Sequence, residues 1–226
     1  MSLRMNDTPP QCKPNRPQTA ADSHVGYSKS QATPFDILEF AHATIADHLF
    51  PGDLSVDATA GNGHDTLFLS RQVGTDGLVL AFDVQETALA STRKRLAKAG
   101  CPDNVRLIHQ GHESLALHLD ALKNENPDVP PLRAVMFNLG YLPGSDKSLT
   151  TKPETSLSAL RQALDALAPG GICSLMLYTG HAGGREEAQA VLEHVEQLDI
   201  KAFRCLRSEV CNKPGSPVIS LLVWKR

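Results

Sequence analysis

From residue 54 the chain reads Leu54-Ser55-Val56-Asp57-Ala58-Thr59-Ala60-Gly61-Asn62-Gly63-His64-Asp65-Thr66-Leu67-Phe68-Leu69. Its first residues predict a short buried strand that ends in an acid, and the two glycines predict a tight turn. The apolar residues after the turn recur at roughly helical spacing. A strand, a glycine turn and a helix in this order are typical of a nucleotide-binding crevice at the carboxyl end of a parallel strand.

This turn differs from the two common phosphate-binding loops. A dinucleotide fingerprint has a third glycine, and a phosphate loop has Lys followed by Ser or Thr, and neither is present here. Asp57 would repel a pyrophosphate but attract an ammonium group, whereas the amides that start the helix attract a carboxylate. The amino-acid end of S-adenosylmethionine carries both charges and fits this pattern. The alternative is an ordinary strand-to-helix turn capped by Asp65 or Thr66.

A second acid follows at the spacing expected of a ribose ligand. The apolar run Leu78–Phe82 predicts a strand that ends in Asp83, roughly 20 residues after the turn, and a carboxylate there can accept both ribose hydroxyls. A third strand at Val105–Ile108 leads into His112 and Glu113. Because parallel strands end at the same edge, these two side chains are placed to reach or frame the adenine.

The remaining elements predict an α/β fold with one open, mostly parallel sheet. Further strands are expected at Leu132–Phe137 and Ile172–Tyr178, and a closing antiparallel pair at Phe203–Val210 and Val218–Trp224. With those above, this gives seven strands. Thr33 is expected to cap the first helix, with Pro34 at its first position. Residues 1–32 are polar and rich in proline, which predicts a mobile tail before a domain spanning 33–226.

Composition narrows the class of protein. The 226 residues, 41% of them hydrophobic, suit one domain of ordinary size, and a net charge of −3 excludes a generic polyanion binder. The five cysteines include no Cys-x-x-Cys pair, which indicates a reducing compartment such as the cytoplasm. No apolar stretch is long enough to span a bilayer, so no membrane association is expected.

The fourth strand carries the candidate chemistry, Asn138-x-x-Tyr141. Methyl transfer from a sulfonium to nitrogen requires the nitrogen lone pair in line with the methyl group. The Asn oxygen can hold the hydrogens of an amine, and an aromatic ring can cover a cation or stack on a base. An amine acceptor must be neutral to attack, so Asp146, Glu154 or His181 is expected to take its proton. The alternative is that Asn138 caps a turn and Tyr141 packs in the core.

Several charged and histidine residues have competing interpretations. Lys147 and Lys152 lie in loops that could close over a substrate or meet a phosphate backbone, although Asp146 and Lys147 also fit an ordinary surface pair. The basic run Arg93, Lys94, Arg95 and Lys98 fits a solvated helix face better than a nucleic-acid contact. His42 and His48 are predicted to be surface or cap-side histidines rather than metal ligands. No metal site is expected, because His109 and His112 lack a third ligand.

Six segments together resemble a known family. They are Val56–Thr66, Phe82–Gln85, His112-Glu113, Asn138–Lys147, Thr151–Thr155 and Tyr178–Glu187. Over residues 35–226 the chain resembles the YtqB-like "putative rRNA methylase" family. It departs from that pattern at Ser145, where the family usually repeats glycine, and in its long polar N-terminal extension.

The resemblance implies a Rossmann-like class I methyltransferase fold, with helices on both faces of the sheet, and S-adenosylmethionine as cofactor. Characterised members, of the MnmM type, methylate the aminomethyl nitrogen of 5-aminomethyl-2-thiouridine at the tRNA wobble position. The residues implied in cofactor binding are Asn62, Asp65, Asp83, Gln85, His112 and Glu113, to which the turn itself adds Asp57, Thr59, Gly61, Gly63 and Thr66. The residues implied in substrate binding are Tyr141, Leu142, Pro143, Gly144, Lys147, Thr151, Lys152, Glu154, Tyr178, His181, Gly183 and Gly184.

Three hypotheses follow, with Asn138, Tyr141 and Asp146 as the catalytic candidates in the first two. The first is an RNA N-methyltransferase whose substrate is tRNA, with rRNA as the alternative. The second keeps the fold and cofactor but has a small-metabolite amine as acceptor, which the slightly acidic charge balance favours. The third is a non-catalytic S-adenosylmethionine-binding module, against which the polar loops after the later strands argue. A homodimer is compatible with the sequence.

Overall fold

The computed structural model describes residues 36–140, 150–210, 212 and 218–226. The strands are β1 (Leu54–Asp57), β2 (Leu78–Phe82), β3 (Val105–Ile108), β4 (Leu132–Leu139), β5 (Ile172–Tyr178), β6 (Phe203–Glu209) and β7 (Val218–Lys225). The helices are α1 (Ile37–Ala46), α2 (His64–Val73), α3 (Glu86–Lys98), α4 (Leu115–Glu125), α5 (Pro153–Ala166) and α6 (Gly184–Glu196), with a 3-10 turn at His112–Ser114. Among these helices, none is long and apolar enough to cross a membrane.

The strands form one sheet in the order β3-β2-β1-β4-β5-β7-β6. Neighbouring strands are parallel from β3 through to β5, and β7 runs antiparallel to both β5 and β6. The predicted mostly parallel, seven-stranded sheet is therefore confirmed. The chain steps outward from β1 to β3 and then returns to place β4 on the other side of β1. This switch point lies between β1 and β4, where ligands bind in open α/β sheets.

Helices cover both faces of the sheet, as predicted. On one face Val56, Val135 and Leu175 pack in a core shared with α4, α5 and α6. On the other face Met136 and Met176 pack in a core shared with α1 and α2. Burial on both faces explains why the central strands read as continuous apolar runs rather than alternating ones.

The ends of several elements differ from those predicted. The first helix begins at Ile37, and its N-cap is Asp36, whose carboxylate accepts the Leu38 N–H at 2.8 Å. The prediction of a Thr33 cap is wrong, because Asp is at least as good a capping acceptor and lies closer to the apolar face. Helix α5 begins at Pro153, which occupies its first position. Strand β4 extends to Leu139, so Asn138 lies inside the strand. The predicted mobile tail, residues 1–32, lies outside the described residues.

A buried amide joins α2 to the start of β3. Asn104 is 3% exposed, and its Nδ2 donates to the carbonyl oxygens of Ser70 at 3.0 Å and Gly74 at 2.7 Å. Its Oδ1 accepts from Ser70 Oγ at 2.7 Å. This side chain therefore fixes the end of the helix that follows the glycine turn.

Replacing Asn104 with Ala should lower the free energy of unfolding by about 2–3 kcal/mol, because it leaves buried polar groups without partners. Urea unfolding followed by circular dichroism measures the effect. Asn126→Ala is the matched control. The exposed Asn126 accepts one local N–H, from Asp128, so its loss should cost under about 1 kcal/mol. Equal losses in the two variants would contradict the role assigned to Asn104.

Candidate active site

The glycine turn between β1 and α2 is held by β2 and α3. The Gly61 N–H donates to Asp83 Oδ2 at 2.9 Å, and Thr92 Oγ1 donates to the Gly61 carbonyl at 3.1 Å. Arg95 Nε donates to the Asn62 carbonyl oxygen. Arg95 therefore binds the turn. The prediction that the basic run on this helix forms a solvated face does not hold for Arg95.

Gly63 ends the turn and caps α2. Its φ is +76°, and a Cβ at this position would lie 2.8 Å from the backbone Cα of Thr92. Only glycine fits both the backbone conformation and the space. Because Gly63 offers no side-chain cap, the first-turn amides of α2 are left to an anionic group of a ligand.

The acid at the end of β2 is partly exposed. Asp83 Oδ1 accepts the Gln85 N–H at 2.8 Å, and Oδ2 accepts from Gly61. A carboxylate offers about four lone-pair sites, so Asp83 keeps acceptor capacity for hydroxyl groups. The half-buried Asn62 and Gln85 lie on the same turn and the same strand end.

His112 lies at the end of β3, buried beneath the β1 turn. Its Nδ1 is 3.2 Å from the Ala58 carbonyl oxygen, which only accepts, so Nδ1 carries the hydrogen. Among the described residues its buried Nε2 has no partner. Burial lowers the pKa of His112 below its ordinary value, which keeps the ring neutral and Nε2 an acceptor. Glu113, the next residue, is exposed.

Asp57, at the end of β1, is fully buried and organises the turn from within. Its Oδ1 accepts the Thr59 N–H at 3.1 Å, and its Oδ2 accepts from Thr66 Oγ1 at 2.6 Å. Burial raises the pKa of Asp57 to about 7, and the nearby charge of Asp65 adds to this. The contact predicted between Asp57 and a ligand ammonium stays a prediction.

These groups fit S-adenosylmethionine. The uncapped amides of α2 suit its carboxylate, the partly exposed Asp83 suits its ribose hydroxyls, and the unpartnered Nε2 of His112 suits a hydrogen-bond donor on the ligand. Among the residues that the structure describes, no three His, Cys, Asp or Glu side chains are grouped to hold a metal ion.

The acceptor side of the site is formed where β4 meets α1 and α2. The Asn138 backbone N–H donates to Thr59 Oγ1 at 2.7 Å, and Asn138 Nδ2 is hydrogen-bonded to Asp65 Oδ2. Asp65 Oδ1 lies 2.7 Å from His42 Nε2, and the His42 ring stacks on Phe68 with centroids 4.2 Å apart. The structure thus brings Thr59, Asp65 and Asn138 together.

The prediction of a surface or cap-side position for His42 is wrong. The residue lies in the middle of α1, and its side chain is 19% exposed and bonded to Asp65, whose side chain is 6% exposed. The spacing of apolar residues could have predicted its partial burial. His42 follows Leu38 by one helical turn and lies beside Ala41 on the apolar side of the helix. The partner 23 residues away could not be identified without the fold.

Residues after β5 complete this side. Tyr178 is 39% exposed. A Cβ added at Gly140 would lie 3.3 Å from the Cβ of Tyr178, so the two residues are close neighbours. Partial burial raises the pKa of the Tyr178 phenol, and the charge of Asp65 raises it further, so the phenol stays neutral. A Cβ at Gly184 would approach the Tyr178 carbonyl to 2.5 Å and His181 Nε2 to 2.8 Å, so glycine is required there. Gly183, at φ +80°, is the N-cap of α6.

A buried acid that sequence reasoning missed joins the segments after β4 and β5. Glu187 is 2% exposed and accepts from Thr151 Oγ1 at 2.7 Å and Ser156 Oγ at 2.6 Å. The Thr151 N–H donates to the Gly140 carbonyl at 3.1 Å. Lys152 and Glu154 are exposed at the start of α5. The other predicted site residues lie outside the described part of the chain: Tyr141, Leu142, Pro143, Gly144, Asp146 and Lys147.

Comparison with known proteins places the chain among methyltransferases. The profile of a family described as "Putative rRNA methylase" matches residues 79–224. A "tRNA (mnm(5)s(2)U34)-methyltransferase, chloroplastic" from Arabidopsis thaliana is 37% identical over 215 residues, covering 91% of this chain and 74% of that protein.

Two solved structures are also similar. A "putative rRNA-methylase" from Clostridium thermocellum is 39% identical with a TM-score of 0.78, covering 86% of this chain and 100% of the other. A "putative methyltransferase" from Streptococcus mutans in complex with SAH is 34% identical with a TM-score of 0.73 and the same coverages.

The sheet order, the glycine turn and the acid at the end of β2 define a class I S-adenosylmethionine-dependent methyltransferase. The non-catalytic binding module considered above is thereby set aside. Within this class, the chain belongs to the "Putative rRNA methylase" family.

Gly63→Ala should destabilise the protein by roughly 3 kcal/mol, because it combines a left-handed backbone with a clash against Thr92. Gly100→Ala is the matched control, since Gly100 has φ +60° but no heavy atom within 4 Å of the added Cβ. The control should cost about 1 kcal/mol in urea unfolding. Equal costs would show that close approach to α3 does not matter.

Asp57 should make the protein less stable as the pH rises towards neutrality. The unfolded residue loses its proton near 3.8, whereas the folded one keeps it to about 7, so rising pH in this window favours the unfolded state. The slope is at most about 1.4 kcal/mol per pH unit. Asp57→Asn should remove this contribution. Urea unfolding of both proteins at pH 5 and pH 7.5 tests this prediction. If wild type and Asp57→Asn lost the same unfolding free energy between the two pH values, the raised pKa assigned to Asp57 would be contradicted.

Proposed function

We propose that this methyltransferase transfers a methyl group to the aminomethyl nitrogen of a modified uridine, 5-aminomethyl-2-thiouridine, at the wobble position of tRNA. The observation that carries the proposal is the location of Asn138. Its amide lies at the carboxyl end of β4, beside the switch point and next to the glycine turn, and its backbone is fixed by Thr59. An amide oxygen in this place suits an amine acceptor, because it can accept a hydrogen bond from the attacking nitrogen.

The Arabidopsis relative supports this choice of acceptor. Its name describes a methyltransferase of mnm5s2U34 in tRNA, and the similarity extends over 91% of this chain. The segments proposed to hold the substrate fall inside the matched family region.

Bound S-adenosylmethionine would supply an electrophilic methyl group on its sulfonium. Its amino-acid end would be held at Asn62 and the first-turn amides of α2, and its adenosine by Asp83, Gln85, His112 and Glu113. The residues of this chain would then orient the amine and keep it neutral. Asn138 would hold an N–H of the amine. The phenol of Tyr178, whose pKa is raised by burial and by the charge of Asp65, would stay neutral. The proton acceptor belongs to the same proposal, with Asp146, Glu154 and His181 as candidates.

The substrate-binding residues also belong to this proposal. Tyr141 would stack on the base or cover the sulfonium. The exposed Lys152, together with Lys147, would contact the phosphate backbone beside the flipped or single-stranded nucleotide. Residues 33–226 would form the catalytic domain. We place the protein in the cytoplasm, a reducing compartment that agrees with the free thiols of Cys101, Cys173 and Cys205.

Nucleoside mass spectrometry of tRNA from a strain that lacks the gene tests the function. The methylaminomethyl nucleoside should disappear and its unmethylated aminomethyl precursor should accumulate. Purified protein with S-adenosylmethionine should restore the methyl group on that tRNA. Asn138→Ala should bind SAH within about threefold of the wild-type affinity but transfer methyl about 100-fold more slowly, because the amine is no longer aimed.

The alternative acceptors give different results. If the tRNA nucleosides are unchanged and rRNA has lost a methyl group, the acceptor is rRNA, as the family description suggests. Unchanged tRNA and rRNA would indicate a small-molecule amine. An Asn138→Ala enzyme with wild-type kcat would contradict the role given to this residue under every acceptor.

A further inference from the structure

We infer that His42 and Asp65 form a positioning pair that locks the side-chain amide of Asn138 in one orientation, with Oδ1 left as its acceptor for the substrate amine. This inference rests on the proposed function for the identity of the amine. The orientation itself follows from contacts between α1, α2 and β4.

Asp65 is engaged through both oxygens of its carboxylate. The residue is 5% exposed, and each of its two carboxylate oxygens contacts a different side chain: Oδ1 lies 2.7 Å from His42 Nε2, and Oδ2 is bonded to Asn138 Nδ2. A carboxylate only accepts hydrogen bonds, so both partners must donate. His42 therefore carries its hydrogen on Nε2, and Asn138 turns its amino group towards Asp65.

The contact with Asp65 sets the orientation of the Asn138 amide. With Nδ2 held by Asp65, Oδ1 is the side-chain atom left to accept an N–H from an amine. The flipped amide would point its carbonyl at the Asp65 carboxylate and its amino group at the donor hydrogens of the amine. Both contacts would be repulsive, so the pair selects the orientation that suits an amine. The backbone bond from Asn138 to Thr59 Oγ1 fixes the position from which the side chain extends.

His42 is held in place by packing as well as by its bond to Asp65. Its ring stacks on Phe68 with centroids 4.2 Å apart and planes only 5° from parallel. The Nε2–H is thereby directed at Asp65 before any ligand arrives. Preorganised hydrogen bonds of this kind lower the cost of orienting reacting groups.

This inference changes the role of Asp65. The family resemblance assigned it to the cofactor, together with Asn62 and Asp83. In the structure both of its oxygens are engaged by His42 and Asn138, on the acceptor side of the crevice. Asp65 is therefore a positioning residue that acts through Asn138.

Two variants of His42 separate hydrogen bonding from packing. His42→Phe keeps a ring on Phe68 but loses the donor, and should lower kcat about 10-fold with KM for tRNA and the SAH dissociation constant within about twofold. His42→Gln restores an N–H donor at similar reach and should recover most of kcat. His118→Phe is the control, since His118 contacts Phe82 and Gln110 away from Asn138, and it should leave kcat unchanged. Asp65→Leu removes the acceptor and should lower kcat about 100-fold.

A measurement without substrate or cofactor tests the orientation directly. In protein labelled with 15N-asparagine, the side-chain amide of Asn138 is assigned by its absence in Asn138→Ala. One of its two protons should be shifted downfield by the bond to Asp65. His42→Phe should move this signal, His42→Gln should return it, and His118→Phe should leave it in place.

Three results would overturn the inference. One is an Asn138 amide signal that His42→Phe does not move. Another is a His42→Gln enzyme as slow as His42→Phe, which would mean that the ring only packs. The third is Asp65→Leu weakening SAH binding at least tenfold while kcat at saturating S-adenosylmethionine survives, which would return Asp65 to the cofactor. If wild-type protein transfers nothing to tRNA but the amide signals respond as expected, the proposed acceptor fails and the positioning pair stands.

Discussion

The hydrogen bond from the Gly61 amide to the Asp83 carboxylate is the contact on which the donor half of the site depends. It joins the turn after β1 to the end of β2. The turn proposed to bind the amino-acid end of the cofactor and the acid proposed to bind its ribose are thereby held next to each other. Parallel register places the two tips side by side, with Asp57 opposite Ala81. Thr92 and Arg95 then brace the turn from α3, which explains why it keeps its shape with so little side-chain bulk.

The donor half was largely predictable from sequence because its signals are local. Gly61, Gly63 and Asp83 lie next to strands whose apolar runs are unmistakable, and parallel topology brings those strand ends together. The strand assignments were equally accessible, since β2 and β5 are largely buried apolar segments bounded by turns and β3 is a short, mostly apolar segment between a turn and a 3-10 turn. The start of α1 was predicted too early because two capping signals compete there, and Asp36 forms the cap.

The acceptor half resisted prediction because its partners come from distant parts of the chain. His42 and Asn138 are 96 positions apart and meet only through Asp65, and no spacing rule connects them. Glu187 reads in sequence as one of several acids on an amphipathic helix, yet it is buried against Thr151. Side-chain pairs of this kind depend on how helices lie on the sheet, which periodicity alone does not specify.

The contacts of Glu187 have a mechanical consequence. Its buried carboxylate on α6 accepts hydrogen bonds from Thr151 and from Ser156 of α5, and the Thr151 N–H binds the Gly140 carbonyl just after β4. One side chain therefore connects β4, α5 and α6, three elements that are far apart in sequence. Its removal would loosen this corner of the molecule as a unit instead of one contact at a time.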